Sequence, residues 1–359
     1  MRNLLVLFGG QSSEHTVSRN STASLLPFID RTEFNVIVVG ITKKGAWFYT
    51  EAEPASIADG SWESDPNNLT AFISPNRALP GLQVLRDGIL ETLPVDVVYP
   101  VMHGELCEDG AIQGLMELSG IPYVGPDICA SACSMDKTVT KLVAALSGVR
   151  QAKYAIVTSD ELSKDPVAAA VRTETEIGTG YPLFVKPASA GSSVGVTKAH
   201  SRDELITAFH TAAKVFHKVL IEECIVGREV EVAVLGNKDP QASCVGEVLA
   251  ANDFYDFEAK YENAASRTVI PADISEEASE KLRQAAVAVY RSLGCEVMSR
   301  VDFFLLPDGD IVFNEINTLP GFTKISMYPK LWEECGIPYS QLLTKLCEFA
   351  IERGCRMGK

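Results

Sequence analysis

The chain has 359 residues, of which 46% are hydrophobic, enough to fill the cores of two or three domains. It carries 47 acidic and 32 basic residues, a formal net charge of −15. So acidic a molecule repels polyphosphate and anionic lipid, which argues against nucleic-acid and membrane-surface binding. An anionic ligand must therefore be held by a local group of cations or by a metal ion.

The amino terminus and the cysteines bear on the cellular compartment. The apolar run at residues 4–8 is too short for a signal peptide or a membrane helix. The nine cysteines form no C-x-x-C pair and have no histidine at zinc spacing. We therefore expect reduced thiols and a cytoplasmic protein.

The first 125 residues predict a Rossmann-like domain. An apolar run at 3–8 ends at two glycines and is followed by a helix from His15, and further apolar runs lie at 34–41 and 95–101. Such continuous runs are typical of a parallel sheet covered on both faces. Residues 51–90 are polar and have no sustained period, so we interpret them as an insertion on the first domain.

The rest of the chain alternates apolar strands with capped helices. The predicted elements are a helix after Glu108, a helix over 136–148, strands ending at 187 and covering 219–223, and a helix over 276–293 capped by Ser275. Two loops separate them, one of small residues at 188–196 and one of polar residues at 252–268.

A pair of carboxylates near the end of the chain indicates a metal site. Two apolar runs are joined by Asp-Gly at 308–309, which is a strong signal for a two-residue hairpin loop. That loop would place Asp302 opposite Glu315, and Arg300 opposite Asn317. Two carboxylates about 5 Å apart repel unless a cation lies between them, and Mg²⁺ suits such ligands. The alternative is that one carboxylate points into solvent, but the flanking residues are strongly apolar.

Phosphate binding is predicted without a P-loop. The spacing of Gly40 and Gly45 is that of a Walker A motif, but Ala-Trp follows where Lys and Ser or Thr are required. What remains is the small-residue loop 188–196, directly after Lys186, whose backbone N–H groups can surround phosphate oxygens. Small-residue loops are common, but with the lysine and the carboxylate pair this one indicates Mg-ATP.

Six spaced motifs carry a family resemblance. They are Gly9-Gly10-x-Ser12-x-Glu14-His15-x-Val17-Ser18, His103-Gly104-x-x-x-Glu108-Asp109-Gly110, Met135-Asp136-Lys137, Lys186-Pro187 with Gly191-Ser192-Ser193-Val194-Gly195, Arg300-x-Asp302, and Asn314-Glu315-x-Asn317-Thr318-x-Pro320-Gly321. On these residues the chain resembles the D-alanine:D-alanine ligases of the ATP-grasp superfamily. The resemblance runs from about residue 4 to 346 and is weakest at 51–90.

The resemblance implies an α/β protein, α+β in its C-terminal part, with the three-domain ATP-grasp fold. The domains would be 1–125, 126–218 and 219–359, the last carrying an ω-loop lid at 252–268. ATP would bind between the second and third domains with two Mg²⁺ ions, Mn²⁺ being an alternative. The implied enzyme is cytoplasmic, homodimeric through its first domain, and makes D-alanyl-D-alanine for peptidoglycan.

The resemblance also assigns roles to single residues. Those implied to bind ATP are Lys137, Lys186, Ser192, Ser193, Glu222, Glu223, Ile225, Glu229, Lys260, Asn314 and Glu315. Those implied to bind D-alanine are Glu14, His103, Arg300, Gly321, Ser326 and Met327. The metal ligands would be Asp302, Glu315 and Asn317. The residues implied in catalysis are Glu14, Ser192, Tyr261 and Arg300. From the residues alone, Glu14 would be interpreted as a helix-cap residue and His103 as a structural histidine.

Three other functions are weighed against this one. Tyr261 favours D-alanine as second substrate over D-lactate, because the D-lactate ligases carry His or Phe there, whereas D-serine is harder to exclude. An oxidoreductase is suggested only by the Gly9-Gly10 turn, and the missing third glycine argues against it. A non-catalytic sensor would have lost the carboxylate pair or Arg300, and all of these are present.

Overall fold

The computed structural model describes residues 1–249, 267–356 and 358. The strands are β1 (Arg2–Gly9), β2 (Phe34–Ile41), β3 (Trp47–Tyr49), β4 (Leu69–Ile73), β5 (Leu82–Arg86), β6 (Ile89–Leu93), β7 (Val97–Val101), β8 (Tyr154–Thr158), β9 (Leu183–Pro187), β10 (Thr197–Ala199), β11 (Lys218–Glu223), β12 (Arg228–Leu235), β13 (Gln241–Leu249), β14 (Arg267–Val269), β15 (Met298–Leu305) and β16 (Ile311–Asn317). The α-helices are α1 (His15–Leu25), α2 (Pro54–Asp59), α3 (Ala111–Ser119), α4 (Ile128–Met135), α5 (Lys137–Ala144), α6 (Ser159–Lys164), α7 (Pro166–Ile177), α8 (Arg202–Val215), α9 (Glu276–Ser292), α10 (Met327–Glu334) and α11 (Tyr339–Arg356).

The first sheet has seven strands in the order β6-β5-β4-β3-β2-β1-β7. Strand β1 runs parallel to both β2 and β7, which confirms the predicted parallel centre. The segment interpreted as an insertion, 51–90, forms α2 and the antiparallel strands β4, β5 and β6, which extend the first sheet. Ile73 and Val84 of these strands pack into its core.

The second and third sheets form the two other layers. The four-stranded sheet has the order β10-β9-β11-β8, and α7 and α8 pack on it. The five-stranded sheet has the order β14-β13-β12-β15-β16 and packs against α9. Because β11 pairs with β9 and β8, a boundary at 218 would separate it from its own sheet. We propose that the second domain extends to the turn at 224–227 and that the third begins there.

The β15–β16 hairpin has the predicted register but a different turn. Asp302 lies opposite Glu315 and Arg300 opposite Asn317, as expected. The predicted two-residue loop is wrong, because beyond Asp302 the register shifts by one residue and Leu305 lies opposite Ile311. A β-bulge at residue 314 compensates for the longer turn, so two departures from the regular hairpin cancel at the carboxylates.

Capping residues begin the helices where the sequence predicts. The Asp136 carboxylate accepts hydrogen bonds from Thr138 N and Val139 N at the start of α5. The Ser275 hydroxyl accepts one from Ala278 N at the start of α9. Each cap satisfies backbone donors that have no partner within the helix.

The C-terminal helix α11 returns to the first sheet. One apolar core joins residues of β1 with residues of α11. Arg353, 2% exposed, donates from Nη2 to Tyr123 O at 2.7 Å and from Nη1 to Gly125 O at 2.5 Å. None of the helices in the described ranges is long and apolar enough to cross a membrane. All nine cysteines are free.

Candidate active site

A cleft of about 1000 Å³ collects the predicted site residues. It is lined by residues of β9 and β11, by residues of β15 and β16, and by the start of α1. Every predicted site residue in the described part of the chain lines this cleft. Lys260 and Tyr261 lie outside the described residues. Motifs separated by some 300 positions along the chain therefore meet at one place.

The start of α5 and the small-residue loop are joined through Lys137. Its Nζ donates to Ala190 O at 2.8 Å. Asp136, which caps the helix, pairs with Lys218 of β11. Lys218 lowers the pKa of the Asp136 carboxyl, although partial burial opposes the shift. These contacts attach the first predicted phosphate lysine to both β11 and the loop.

The second predicted phosphate lysine, Lys186, is paired with a buried carboxylate. Its Nζ lies 2.5 Å from Glu222 Oε2, and Lys141 Nζ lies 2.5 Å from Glu222 Oε1. Burial would raise the pKa of Glu222, but the ammonium groups of Lys186 and Lys141 outweigh it and lower the pKa to about 2. The resemblance assigns Glu222 to the adenine edge, whereas the structure places its carboxylate between two lysines.

The loop 188–196 contacts the first domain. The Ser192 hydroxyl donates to Glu14 Oε1. Gly191 lies so close to Glu14 that a Cβ built on it would be 2.4 Å from Glu14 Oε1. Ser192 and Ser193 have φ values of 50° and 57°, a region that serine rarely adopts and that often marks functional segments. The loop is thus joined to the first domain through Ser192 and Glu14.

Ser12 connects Glu14 with His103. Its hydroxyl donates to His103 O at 2.7 Å and accepts from Glu14 N at 3.0 Å. The His103 ring is buried, and its Nδ1 lies 3.0 Å from Leu319 O. Burial would lower the pKa of His103, but the neighbouring Glu108 carboxylate outweighs it and raises the pKa. This end of the cleft therefore carries carboxylates beside a buried imidazole, a suitable environment for an ammonium group.

Arg300 binds the metal-site carboxylate on its own strand. Its Nε and Nη2 donate to Asp302 Oδ1 and Oδ2 at 2.8 and 2.7 Å, and Nε also lies 2.9 Å from Glu231 Oε2. Nη1 makes none of these contacts. The guanidinium is thus fixed by two carboxylates and presents its remaining donor group for another ligand.

The residues of the hairpin fit a hard divalent cation. Asp302 and Glu315 face each other across the strands, and Asn317 Nδ2 lies 3.0 Å from Asp302 Oδ2. Two carboxylates and an amide are oxygen donors of the kind Mg²⁺ takes when substrate phosphates complete its coordination. Within the described ranges, no three His, Cys, Asp or Glu side chains form a metal site of their own. Two carboxylates and an amide leave further coordination positions of an octahedral ion for water or for phosphate oxygens.

Another part of the cleft wall is formed by the start of α10. Ser326 occupies the N-cap position, and its hydroxyl accepts from Thr323 N at 3.0 Å. A Cβ on Gly321 would lie 3.1 Å from Ser326 Oγ. Met327 is buried beside Gly246, where a Cβ would lie 2.7 Å from its sulfur. Backbone N–H groups at a helix N-terminus favour a carboxylate.

The residues predicted to contact the adenine base and the ribose make fewer contacts. Glu223 Oε1 accepts from Lys153 N, just before β8, at 2.8 Å. Ile225 and Glu229 line the cleft beside it. Asn314 is the bulged residue of β16 and also lines the cleft.

The sequence reasoning missed Lys141 and Glu231. Lys141 follows Lys137 by four residues, so it lies on the same helix face, and that spacing was the available signal. Glu231 follows Glu229 by two residues on a strand, which places both on one face of the sheet. Neither spacing identifies the partner, which is Glu222 for Lys141 and Arg300 for Glu231.

Comparison with known families and proteins gives consistent results. The family model for the N-terminus of D-Ala-D-Ala ligases matches residues 3–126, and the model for their C-terminus matches 143–348. A D-alanine–D-alanine ligase of Clostridium acetobutylicum is 46% identical over 355 residues, 98% of each chain. That of Acetivibrio thermocellus is 47% identical over 98% of this chain and 96% of its own.

Solved structures of the same kind superpose closely. The VanG D-Ala:D-Ser ligase of Enterococcus faecalis is 38% identical with a TM-score of 0.88, over 97% of this chain and 99% of its own. The D-alanine–D-alanine ligase of Coxiella burnetii is 32% identical with a TM-score of 0.85, over 100% of this chain and 97% of its own.

Proposed function

The chain belongs to the D-alanine–D-alanine ligase family and is an ATP-dependent ligase with the ATP-grasp fold, and we propose that it joins two D-alanines in the cleft described above. The observation that carries this proposal is the meeting of Lys137, Lys186 and Arg300 with a pair of opposed carboxylates in one cleft. Because the protein as a whole is acidic, local cations such as these are required to hold a polyphosphate.

The first step proposed is phosphoryl transfer to the first D-alanine. Glu14 binds the ammonium group of this D-alanine, with His103 beside it. The carboxylate of the D-alanine attacks the γ-phosphate of ATP. Lys137 and Lys186 neutralise charge on the phosphates as ADP leaves, and the product is an acyl phosphate. Two Mg²⁺ or Mn²⁺ ions bound by Asp302, Glu315 and Asn317 would supply further neutralisation of the phosphate charge.

The second step proposed is attack by the amine of the second D-alanine. Its ammonium group first gives up one proton to solvent, and the free amine attacks the acyl-phosphate carbonyl. The C–N bond forms as the C–O bond to phosphate breaks, and the leaving phosphate takes the second proton as hydrogen phosphate. Arg300 donates to the developing oxyanion, an interaction worth about 3 kcal/mol in a closed site. Ser326 and the backbone N–H of Met327 bind the second carboxylate. Release of inorganic phosphate leaves the dipeptide.

Ser192 of the loop and Glu14 of the first domain have a structural part in this proposal. The hydrogen bond from Ser192 to Glu14 joins the phosphate loop to the residue that binds the first substrate. A filled substrate site and a closed loop therefore favour each other, which keeps water from the acyl phosphate. Tyr261 and Lys260 are proposed to complete this closure from the lid.

The experiment is a product assay. Purified protein incubated with D-alanine, ATP and Mg²⁺ should release ADP, phosphate and D-alanyl-D-alanine, and omission of D-alanine should abolish phosphate release. No dipeptide at millimolar D-alanine would refute the proposal. Replacing Mg²⁺ by Mn²⁺, or removing it with a chelator, tests the metal requirement.

D-Serine is the second candidate for the second substrate, since VanG, a D-Ala:D-Ser ligase, superposes so closely. A pocket rejects an added hydroxyl only weakly. Competition among D-alanine, D-serine and D-lactate, with the products separated by mass, decides the specificity. We propose D-alanine, because the more similar relatives carry that activity in their names.

Compartment and assembly are further proposals that follow from the family. Free thiols at all nine cysteines are compatible with a cytoplasmic enzyme. A homodimer formed through the first domain is tested by light scattering on the purified chain, and a monomer at micromolar concentration would refute it.

A further inference from the structure

A second, buried lysine, Lys141, contacts the same carboxylate as Lys186. Lys141 is 2% exposed, and its Nζ lies 2.5 Å from Glu222 Oε1 and 3.4 Å from Ala152 O. The ring of Tyr154 has its centroid 5.0 Å from the same Nζ. The ammonium group is therefore held by a carboxylate, a carbonyl and a π face.

Burying an ammonium group is costly even when it is paired, and an apolar residue of similar size is often as stable. The placement of Lys141 thus calls for a reason beyond packing. Glu222 supplies that reason, because its other oxygen, Oε2, pairs with Lys186 Nζ at 2.5 Å. One carboxylate between two ammonium groups leaves a net charge of +1.

We propose that Lys141 is a positioning residue that holds Glu222 and offsets its charge, so that the group Lys141–Glu222–Lys186 keeps a net positive charge for the phosphates of ATP. Without Lys141, Glu222 and Lys186 form a neutral pair and the cleft loses one unit of positive charge. The inference rests on the proposed function only in taking ATP as the ligand. It predicts an effect on phosphate binding and none on the recognition of adenosine.

The test is the ratio of the dissociation constants of adenosine and ATP, measured by calorimetry without D-alanine. Lys141→Met is expected to weaken ATP binding about tenfold, the effect of one charge acting over several ångströms, and to leave adenosine binding unchanged. The double variant Lys141→Met/Glu222→Gln restores the charge of +1 and is expected to bring the ratio back to within about threefold of wild type.

Two results would overturn the proposal. One is an unchanged ratio in folded Lys141→Met, whether both affinities fall equally or neither falls. The other is a double variant whose ratio is no closer to wild type than that of the single variant. Circular dichroism and thermal unfolding establish folding. If Lys141→Met does not fold, Glu222→Gln alone decides: it raises the local charge to +2, so its ratio must increase, and a decrease refutes the proposal. A wild-type chain that binds ATP but makes no dipeptide would refute the proposed function and leave this test intact.

Discussion

Gly191→Ala tests the contact between the phosphate loop and the first-substrate site. The new Cβ would lie 2.4 Å from Glu14 Oε1 and 3.2 Å from Glu14 Cδ. Ordinary contacts begin near 3.4 Å, so the loop or the carboxylate must move by about 1 Å. Gly191 is not among the residues with positive φ, so the substitution adds a clash without backbone strain.

A displacement of about 1 Å at a reacting group typically costs about 100-fold in rate. We therefore expect Gly191→Ala to lower kcat/KM for D-alanine about 100-fold, in a continuous assay of ADP release, with the thermal midpoint close to that of wild type. Gly114→Ala is the matched control, because its Cβ would meet nothing within 4 Å and it lies within α3. Activity within threefold of wild type in Gly191→Ala would refute the reasoning.

Three further predictions address the metal, the C-terminal helix and acid stability. Asp302→Asn should lower turnover about 100-fold or more with the fold retained, whereas Asp308→Asn in the same hairpin should be neutral; equal rates in both would contradict the metal site. Arg353→Leu should lower the free energy of unfolding in urea by about 3 kcal/mol, because two buried carbonyls lose a charged donor, and a loss below 1 kcal/mol would contradict this. Because the pKa of Glu222 falls from 4.5 to about 2 on folding, its contribution to stability is complete above pH 4.5 and is lost as pH falls toward 2. The stability difference between wild type and Glu222→Gln should shrink over that range, and a constant difference would contradict the assigned pKa.

The sequence predicts the carboxylate pair for a reason that only partly holds. The apolar runs of β15 and β16 predict two paired strands, but Asp302 lies opposite Glu315 only because the bulge offsets the longer turn. The turn itself was misjudged, since Asp-Gly also suits a longer loop. Compensation by the bulge at Asn314 depends on packing and cannot be read from local residues.

The strands of the insertion were not predicted because they are short and lie between polar, turn-forming residues. The edge strand β6, Ile89–Leu93, has no buried residue, and β5 buries three consecutive residues and so shows no period of two. Such short strands are stabilised by pairing with a sheet already formed, and local composition favours a loop.

The site residues that belong to a sequence motif were predicted. Those that reach the site only through contacts between distant segments were missed. Lys186 follows from its position at a strand end before a small-residue loop. The partnership of Lys141 with Glu222 requires α5 to pack against β11, and no spacing in the chain encodes that contact.

The contacts of Arg353 also determine which part of the enzyme is free to move. Because α11 shares a core with β1 and its guanidinium is buried against Tyr123 and Gly125, the first sheet and the C-terminal helix form one rigid body. We expect release of product to move the central layer, β8 to β11, against that body. The hydrogen bond from Ser192 to Glu14 spans these two parts, so we expect substrate binding at Glu14 and closure of the cleft to be coupled.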